Sequence, residues 1–312
     1  MGIAGRRTPQ SRSWLRDLAL PGALLAMFTG LGVCWILAAP GGPEALAVPS
    51  TAAVGAAVLL VGLGSLPGLG LRPSARVIGV AGGIWCVAAL VSAWMRTADQ
   101  AGESSLSVSV GQFADTLGEG APEVVELIAA VLVVAMASVQ LTGRMHPPAT
   151  AYGVLGAIGL LAAAITGHPS QTAVGPLLIG AHALAAAWWC GSLAAMVVTI
   201  RGRVGWTTAL PVFSRRAVWA VAVIAATGVI TGLMEIGGLG ELVGSGYGRI
   251  LLAKVLGTVA LVVLGARHRR AWVPAVIRHR SPEATSIRLA VGELMLMAVV
   301  LGLAVGLSTT AP

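Results

Sequence analysis

Nine runs of about twenty mostly apolar residues dominate this sequence. A helix needs ~20 apolar residues to cross the hydrocarbon core of a bilayer, and irregular backbone is not stable in contact with lipid. Proline and glycine separate many of the runs, as expected where helices end. The predicted spans are 18–39, 49–70, 76–95, 122–142, 149–167, 175–200, 215–234, 249–266 and 287–308. The sequence therefore predicts an all-α fold, a polytopic transmembrane helical bundle of about nine spans.

Composition agrees with a membrane protein. The 312 residues are 56% hydrophobic and 10% charged, whereas about a quarter of the residues in a soluble domain are charged. Only residues 1–16 and 97–121 form longer stretches without an apolar run, so no large soluble domain fits. The net charge of +8 does not indicate nucleic-acid binding, because the arginines stand in short clusters between the apolar runs.

The arginines also predict the orientation. All but Arg96 and Arg249 lie in the N-terminal segment and in alternate loops, and the opposite loops carry most of the acidic residues. The positive-inside rule then places the N-terminus in the cytoplasm and the C-terminus outside. The first apolar run continues to Ala39, which is too long for the ~7–15-residue apolar region of a signal peptide, so we expect an uncleaved first span.

A few ionisable residues fall within the predicted spans, where each costs at least ~2.5–3.5 kcal/mol. Lys254 lies about two turns into span eight from the outer side, and Glu126 lies about one turn into span four from the same side, so by depth Glu126 is a better partner for Lys254 than Glu293 is. Glu293 lies in span nine, nearer the cytoplasmic side. Together with Arg249 these are the candidate intramembrane polar or gating residues. Snorkelling of the side chains to the headgroups is the alternative.

Two histidines form the candidate metal site. His168 closes span five at its outer end, and His182 lies in span six about seven residues below the outer surface, which is ~10 Å. The two spans are consecutive and antiparallel, so both imidazoles face the outer half of the membrane. Imidazole nitrogen with a sulfur ligand suits copper, whereas hard cations require oxygen ligands. The alternative is that His182 bonds to a neighbouring helix and His168 caps a loop.

Sulfur atoms and one indole complete the candidate site. Met234, Met95 and Cys190 are weaker candidates for a third ligand, and Trp189 shares a helix face with His182 and is a candidate wall of the site. The three cysteines lie far apart within apolar runs, so neither a disulfide framework nor a zinc module is indicated. The other histidines lie in cytoplasmic segments rich in arginine or proline, where solvation is expected.

Several segments match one known family. The run HALAAAWWCGSL at 182–193 resembles the HLLAAALWVGGL span of the CopD family of copper resistance membrane proteins, with Ser192 in place of the second glycine. Gly167-His168, Phe213-Ser214-Arg215, Ala226-Thr227-Gly228, YGRILLAK at 247–254, Arg288 to Glu293 and the final TTAP also resemble that family. The resemblance covers about 160–312. It divides the chain into an N-terminal membrane region of four spans, 1–145, and a CopD-like membrane domain of five spans, 146–312.

The resemblance implies a non-enzymatic, multi-pass copper-handling protein of the bacterial cytoplasmic (inner) membrane, one that moves copper inward from an outer His168/His182 site. The outer segment 96–121 has no His, Met or Cys, so capture of copper would rely on a partner such as a periplasmic CopC-like carrier. No GxxxxGK[ST] sequence is present, so nucleotide hydrolysis by this chain is not expected to drive transport.

Two other functions remain open at this point. Paired histidines on adjacent helices could ligate haem, which would make the chain a b-type membrane electron carrier. Alternatively, the chain could be an assembly factor that delivers copper to a respiratory oxidase. In every case the lipid bilayer is the expected surrounding and nucleic acid is not an expected partner.

Overall fold

The protein is described by a computed structural model that covers residues 14–118, 122–164, 174–235 and 240–310. Within these ranges all regular structure is helical. The helices are α1 Trp14–Asp17, α2 Ala19–Ala38, α3 Ala47–Ser65, α4 Ala75–Ala101, α5 Val110–Gly118, α6 Pro122–Leu141, α7 Ala149–Ala164, α8 Gly175–Thr199, α9 Gly202–Glu235, α10 Glu241–Gly244, α11 Gly246–Ile277 and α12 Glu283–Ser308, and a 3₁₀ turn at Leu66–Leu69 follows α3.

The predicted class, an all-α polytopic membrane bundle, is confirmed. Eight helices of the described residues are long and apolar enough to cross a bilayer: α2, α3 with its 3₁₀ turn, α4, α6, α8, α9, α11 and α12. The ninth predicted span corresponds to α7, a shorter apolar helix whose description ends at Ala164. The count of nine crossings and the side of each terminus stay predictions.

The centre of the bundle is α3, which packs against α4, α7 and α8. Small residues allow this close packing. A Cβ on Gly62 of α3 would stand 1.9 Å from the carbonyl oxygen of Gly191 in α8, and one on Gly64 would stand 2.4 Å from the Cα of Gly153 in α7. The helix backbones therefore touch at both places, and neither glycine can be replaced without moving a helix.

A second tight contact joins the first and last long helices. α12 packs against α2, and a Cβ on Gly302 would lie 1.9 Å from the carbonyl oxygen of Met27. On the other side of this contact, a Cβ on Gly30 would lie 2.2 Å from the carbonyl oxygen of Val299. Helices of the predicted regions 1–145 and 146–312 thus pack directly against each other.

The predicted cytoplasmic ends of three spans were wrong. α9 begins at Gly202 and not at 215, α11 continues to Ile277 and not to 266, and α12 begins at Glu283 and not at 287. Arginines end the apolar runs here, but charge does not end a helix. Between Gly265 and Pro274 no glycine or proline interrupts α11.

These helix ends form a packed extension with its own aromatic core. Trp206 of α9 is buried and its ring lies 5.8 Å from that of Trp272 in α11. The indole nitrogen of Trp272 donates to the hydroxyl of Ser286 in α12 at 3.2 Å. At the edge of the extension, Glu283 pairs with Arg16 and accepts a hydrogen bond from the backbone nitrogen of Gly202 at 2.8 Å. The extension therefore ties α1, α9, α11 and α12 together.

Candidate functional site

His182 lies in the first half of α8, where the helix packs against α9. Pro176 begins this helix at a position where no backbone hydrogen bond is lost. Seven residues separate Gly175 from His182, so the imidazole lies ~10 Å along the helix axis from its start. The side chain is half-buried, in keeping with the depth predicted from the sequence.

The orientation of the His182 ring is set by Thr227 of α9. The imidazole Nδ1 lies 2.9 Å from the threonine hydroxyl oxygen. That hydroxyl donates its only proton to the carbonyl oxygens of Val223 at 2.6 Å and Ile224 at 3.3 Å. With its proton on these carbonyls the hydroxyl accepts from Nδ1–H, and in this arrangement the neutral imidazole carries its proton on Nδ1. The lone pair on Nε2 is then the one that can bind a metal.

Two further groups lie around the ring. A Cβ on Gly228 would stand 3.5 Å from His182 Cε1, so the Thr-Gly pair of α9 lines one edge of the imidazole. On α11, the charge of Lys254 acts electrostatically on His182. The ring thus lies between α8 and α9, and a cation held by Nε2 would be repelled by the positive charge of Lys254.

The other predicted ligands differ in their relation to His182. His168 lies outside the described residues. Met234 lies on α9 seven residues beyond Thr227, so it shares a helix face with Thr227 about 10 Å further along the axis. Its side chain is 48% exposed. Among the sulfur candidates in the described residues, Met234 is the one that lies on α9, the helix whose Thr227 contacts His182.

Three other predicted site residues do not lie beside His182: Cys190, Trp189 and Met95. Trp189 and Cys190 are buried in the core and lie ~10–12 Å deeper along α8. Cys190 is close enough to Glu293 of α12 to interact with its charge. Met95 lies on α4, which packs against α3, α5 and α6. Among the described residues, no group of three or more His, Cys, Asp or Glu side chains could hold a metal ion.

The remaining intramembrane polar residues make contacts that hold helices together. Arg249 donates from Nε to the carbonyl oxygen of Leu37 at 2.6 Å and so links α11 to the end of α2. Glu126 accepts a hydrogen bond at 2.9 Å from the indole of Trp85 across the interface of α4 and α6. No ion pair of the described residues joins Glu126 to Lys254, although their depths suggested that pairing.

Glu293 has a partner that sequence reasoning missed. Its carboxylate lies 2.6 Å from Nδ1 of His268, and the two side chains are only 6% and 13% exposed. The expectation that His268 is solvated was wrong, because α11 continues through this residue and turns it toward α12. The sequence could have indicated that the helix continues through His268, because no glycine or proline lies between Gly265 and Pro274.

Comparisons with known proteins agree with the resemblance seen in the sequence. The family model described as copper resistance protein D (CopD) matches residues 207–307. This range holds Thr227, Gly228, Lys254 and the pair His268–Glu293, and it begins after His182. The match does not include 182–193, so the similarity of that segment to the family stays a prediction. No solved structure matches the chain.

One curated relative shares part of the chain. The copper transport protein CutJ of Bacillus subtilis (strain 168) is 34% identical over an alignment of 119 residues that covers 35% of this chain. The chain spans only 22% of the length of that relative. Together with the family match, this confirms the resemblance of residues 207–307 to the CopD family of membrane proteins.

Proposed function

We propose that this protein transports copper inward across the bacterial cytoplasmic membrane, from a binding site formed by His168 and His182 on the outer side. The hydrogen bond between His182 and Thr227 is the observation that carries the site, because it reserves Nε2 for a metal. The family match and the named function of the relative support copper as the cargo. Imidazole nitrogen is a suitable ligand for this metal.

His182 is the one proposed metal ligand among itself and the residues that contact it, so the other ligands of the metal must come from elsewhere in the chain. His168 is the proposed second nitrogen ligand. Met234 is the proposed sulfur ligand, since it lies on α9 on the face of Thr227 and is partly exposed. Cys190 and Met95 are left out of this proposed site, because one lies two helix turns deeper and the other lies on α4.

Copper reaches this site through a partner on the outer side. The segment 96–121 between α4 and α6 carries acidic residues but no His, Met or Cys. Its carboxylates attract cations without selecting copper. A periplasmic CopC-like carrier that docks at this face would supply the missing selectivity. Arg249 and Lys254 hold or gate the helices in this proposal, since a positive charge does not bind a cation.

The test measures copper in the purified protein and copper uptake by cells. We expect His168→Ala and His182→Ala each to lower both the copper content and the rate of uptake. His146→Ala is the matched control, because His146 is exposed in the turn before α7. Unchanged copper binding in both site variants would exclude this site. Normal binding with no copper uptake would favour delivery to a respiratory oxidase.

The same preparation distinguishes the haem alternative. A b-type cytochrome would show a Soret band and a change between its oxidised and reduced spectra. We expect the purified protein to show neither. If a Soret band appears and is lost in His182→Ala, the protein is an electron carrier and the copper proposal fails.

A further inference from the structure

A groove on the outside of the bundle lies between α8 and α9 and begins about 17–21 Å from the turn that joins these helices. Its volume is about 260 Å³. Apolar side chains cover most of its walls, and one charged residue lies at its edge. The lining residues are Ala185, Trp188, Arg216, Trp219, Ala220 and Val223. The groove adjoins the surroundings of His182, because Ala185 lies one turn further along α8 and the carbonyl oxygen of Val223 accepts from Thr227.

The charged residue of the groove is exposed and reaches along the end of α3. Nη1 of Arg216 lies 3.0 Å from the position that a Cβ on Gly68 would occupy, so the guanidinium lies beside the 3₁₀ turn. None of the ion pairs found in the described ranges includes Arg216. Its charge is therefore available to an anion from outside the chain.

Other arginines lie at the same depth in the bundle as the groove. Arg269 of α11 donates to the carbonyl oxygen of Ser214 at 3.0 Å, one turn or less from Arg216. Arg72 follows the 3₁₀ turn that Arg216 touches. In the predicted orientation this level is that of the cytoplasmic headgroups. Anionic lipids of that leaflet are attracted to clustered arginine and bind in basic pockets between helices.

Two tryptophans line the groove, which is typical of a surface at the membrane–water interface. Trp188 stacks on Phe213 with ring centroids 5.9 Å apart, and Trp219 is 76% exposed. Tryptophan is enriched at headgroup depth because its ring is both apolar and able to donate a hydrogen bond. Val223 lies one turn deeper on α9 and continues the apolar wall toward the membrane centre.

We propose that this groove binds an anionic phospholipid of the cytoplasmic leaflet. The guanidinium of Arg216 holds the phosphate, a geometry for which arginine is well suited. One acyl chain lies against Ala185, Ala220 and Val223, and the indoles of Trp188 and Trp219 flank the glycerol region. This binding does not depend on copper.

The test uses native mass spectrometry of the full chain, purified in detergent with equal amounts of phosphatidylglycerol and phosphatidylcholine. We expect wild-type protein to retain phosphatidylglycerol preferentially. Arg216→Gln should lower that retention at least about fivefold, the effect of one basic residue near an anionic surface. Arg215→Gln is the matched control, because Arg215 is also exposed but does not line the groove.

A second variant tests the groove without changing its charge. Val223→Trp should fill the groove and reduce phosphatidylglycerol retention while Arg216 is intact. Val223 is 39% exposed, so the larger side chain does not have to enter the core. Equal losses in Arg215→Gln and Arg216→Gln, or full retention in Val223→Trp, would show that the lipid is attracted only by general surface charge and would overturn the proposal.

Discussion

Nδ1 of His182 lies 2.9 Å from the hydroxyl of Thr227, and this contact joins α8 to a residue within the range 207–307 that matches the CopD family model. When the threonine donates its proton to carbonyl oxygens of its own helix, it accepts from the imidazole. Thr227 is not itself a proposed metal ligand. In this arrangement its hydrogen bond determines which nitrogen of His182 is left for a metal.

Thr227→Val should therefore weaken copper binding without removing a ligand. The loss of a group that orients a metal-binding histidine typically costs 10–100-fold in affinity, and we expect a change of that size. Copper titration against a competing chelator would measure it. Thr231→Val is the control, because the hydroxyl of Thr231 bonds only to carbonyl oxygens of α9 in the described contacts. Equal affinities of the two variants would contradict the role of Thr227.

Lys254→Met should strengthen copper binding at His182. The charge of Lys254 acts on this histidine, and a positive charge near a bound cation lowers its affinity. We expect affinity to rise by up to about tenfold in the same titration. Lys254→Arg keeps the charge and should bind as wild type does. A weaker affinity in Lys254→Met would instead make the lysine a supporting part of the site.

Gly302→Ala should destabilise the bundle. A methyl group at this position would meet the carbonyl oxygen of Met27 at 1.9 Å, so α2 and α12 must separate. Overpacking of this kind costs about 1–3 kcal/mol, and thermal unfolding in detergent would show it as a lower midpoint. Gly292→Ala on the same helix meets nothing within 4 Å and should unfold at or above the wild-type temperature. Similar midpoints for both variants would argue against the α2–α12 contact.

Glu293→Ala should also lower stability, because it leaves the buried imidazole of His268 without its partner. An unsatisfied buried polar group costs about 1–3 kcal/mol. Glu293→Gln keeps a hydrogen-bonding oxygen and should lie between wild type and the alanine variant. Glu103→Ala, which removes an exposed carboxylate in the outer segment, serves as the control for loss of an acidic residue. The order of unfolding midpoints checks the prediction.

Single cysteines would decide whether α7 crosses the membrane. Thr142→Cys lies between α6 and α7, and Val204→Cys lies near the start of α9; both sites are exposed. In a background without native cysteines, a membrane-impermeant maleimide added outside intact cells should label neither site, and it should label Ser104→Cys. Labelling of Val204→Cys but not of Thr142→Cys would mean that α7 does not cross and that nine spans is wrong.

Much of the fold could be predicted because lipid leaves few choices. An apolar run of sufficient length must satisfy its own backbone hydrogen bonds, so each run in the sequence predicts a helix. The ends of those helices were harder to place. At α9 and α11 the apolar run stops at arginines, whereas both helices extend further, with Pro211 inside α9 and Pro274 inside α11, and pack there through Trp206 and Trp272.

The candidate site was predictable only in part. The depth of His182 follows from counting residues along a helix, and its presence in a span marks it as unusual. Its partner Thr227 is 45 residues away on another helix, and no periodicity along either helix indicates which faces meet. The same holds for Glu293, whose depth indicated no partner and against which His268 lies.

The nine apolar runs and the distribution of arginine thus determined the helical membrane bundle and its predicted orientation, because both depend on the transfer of residues between water and lipid. Tertiary structure alone decided that α3 is the centre, that α2 packs on α12, and that the imidazole of His182 faces Thr227. These contacts depend on where small residues let two backbones touch, at Gly62 with Gly191 and at Gly302 with Met27. Such pairings are properties of two helices together, and neither helix carries them in its own sequence.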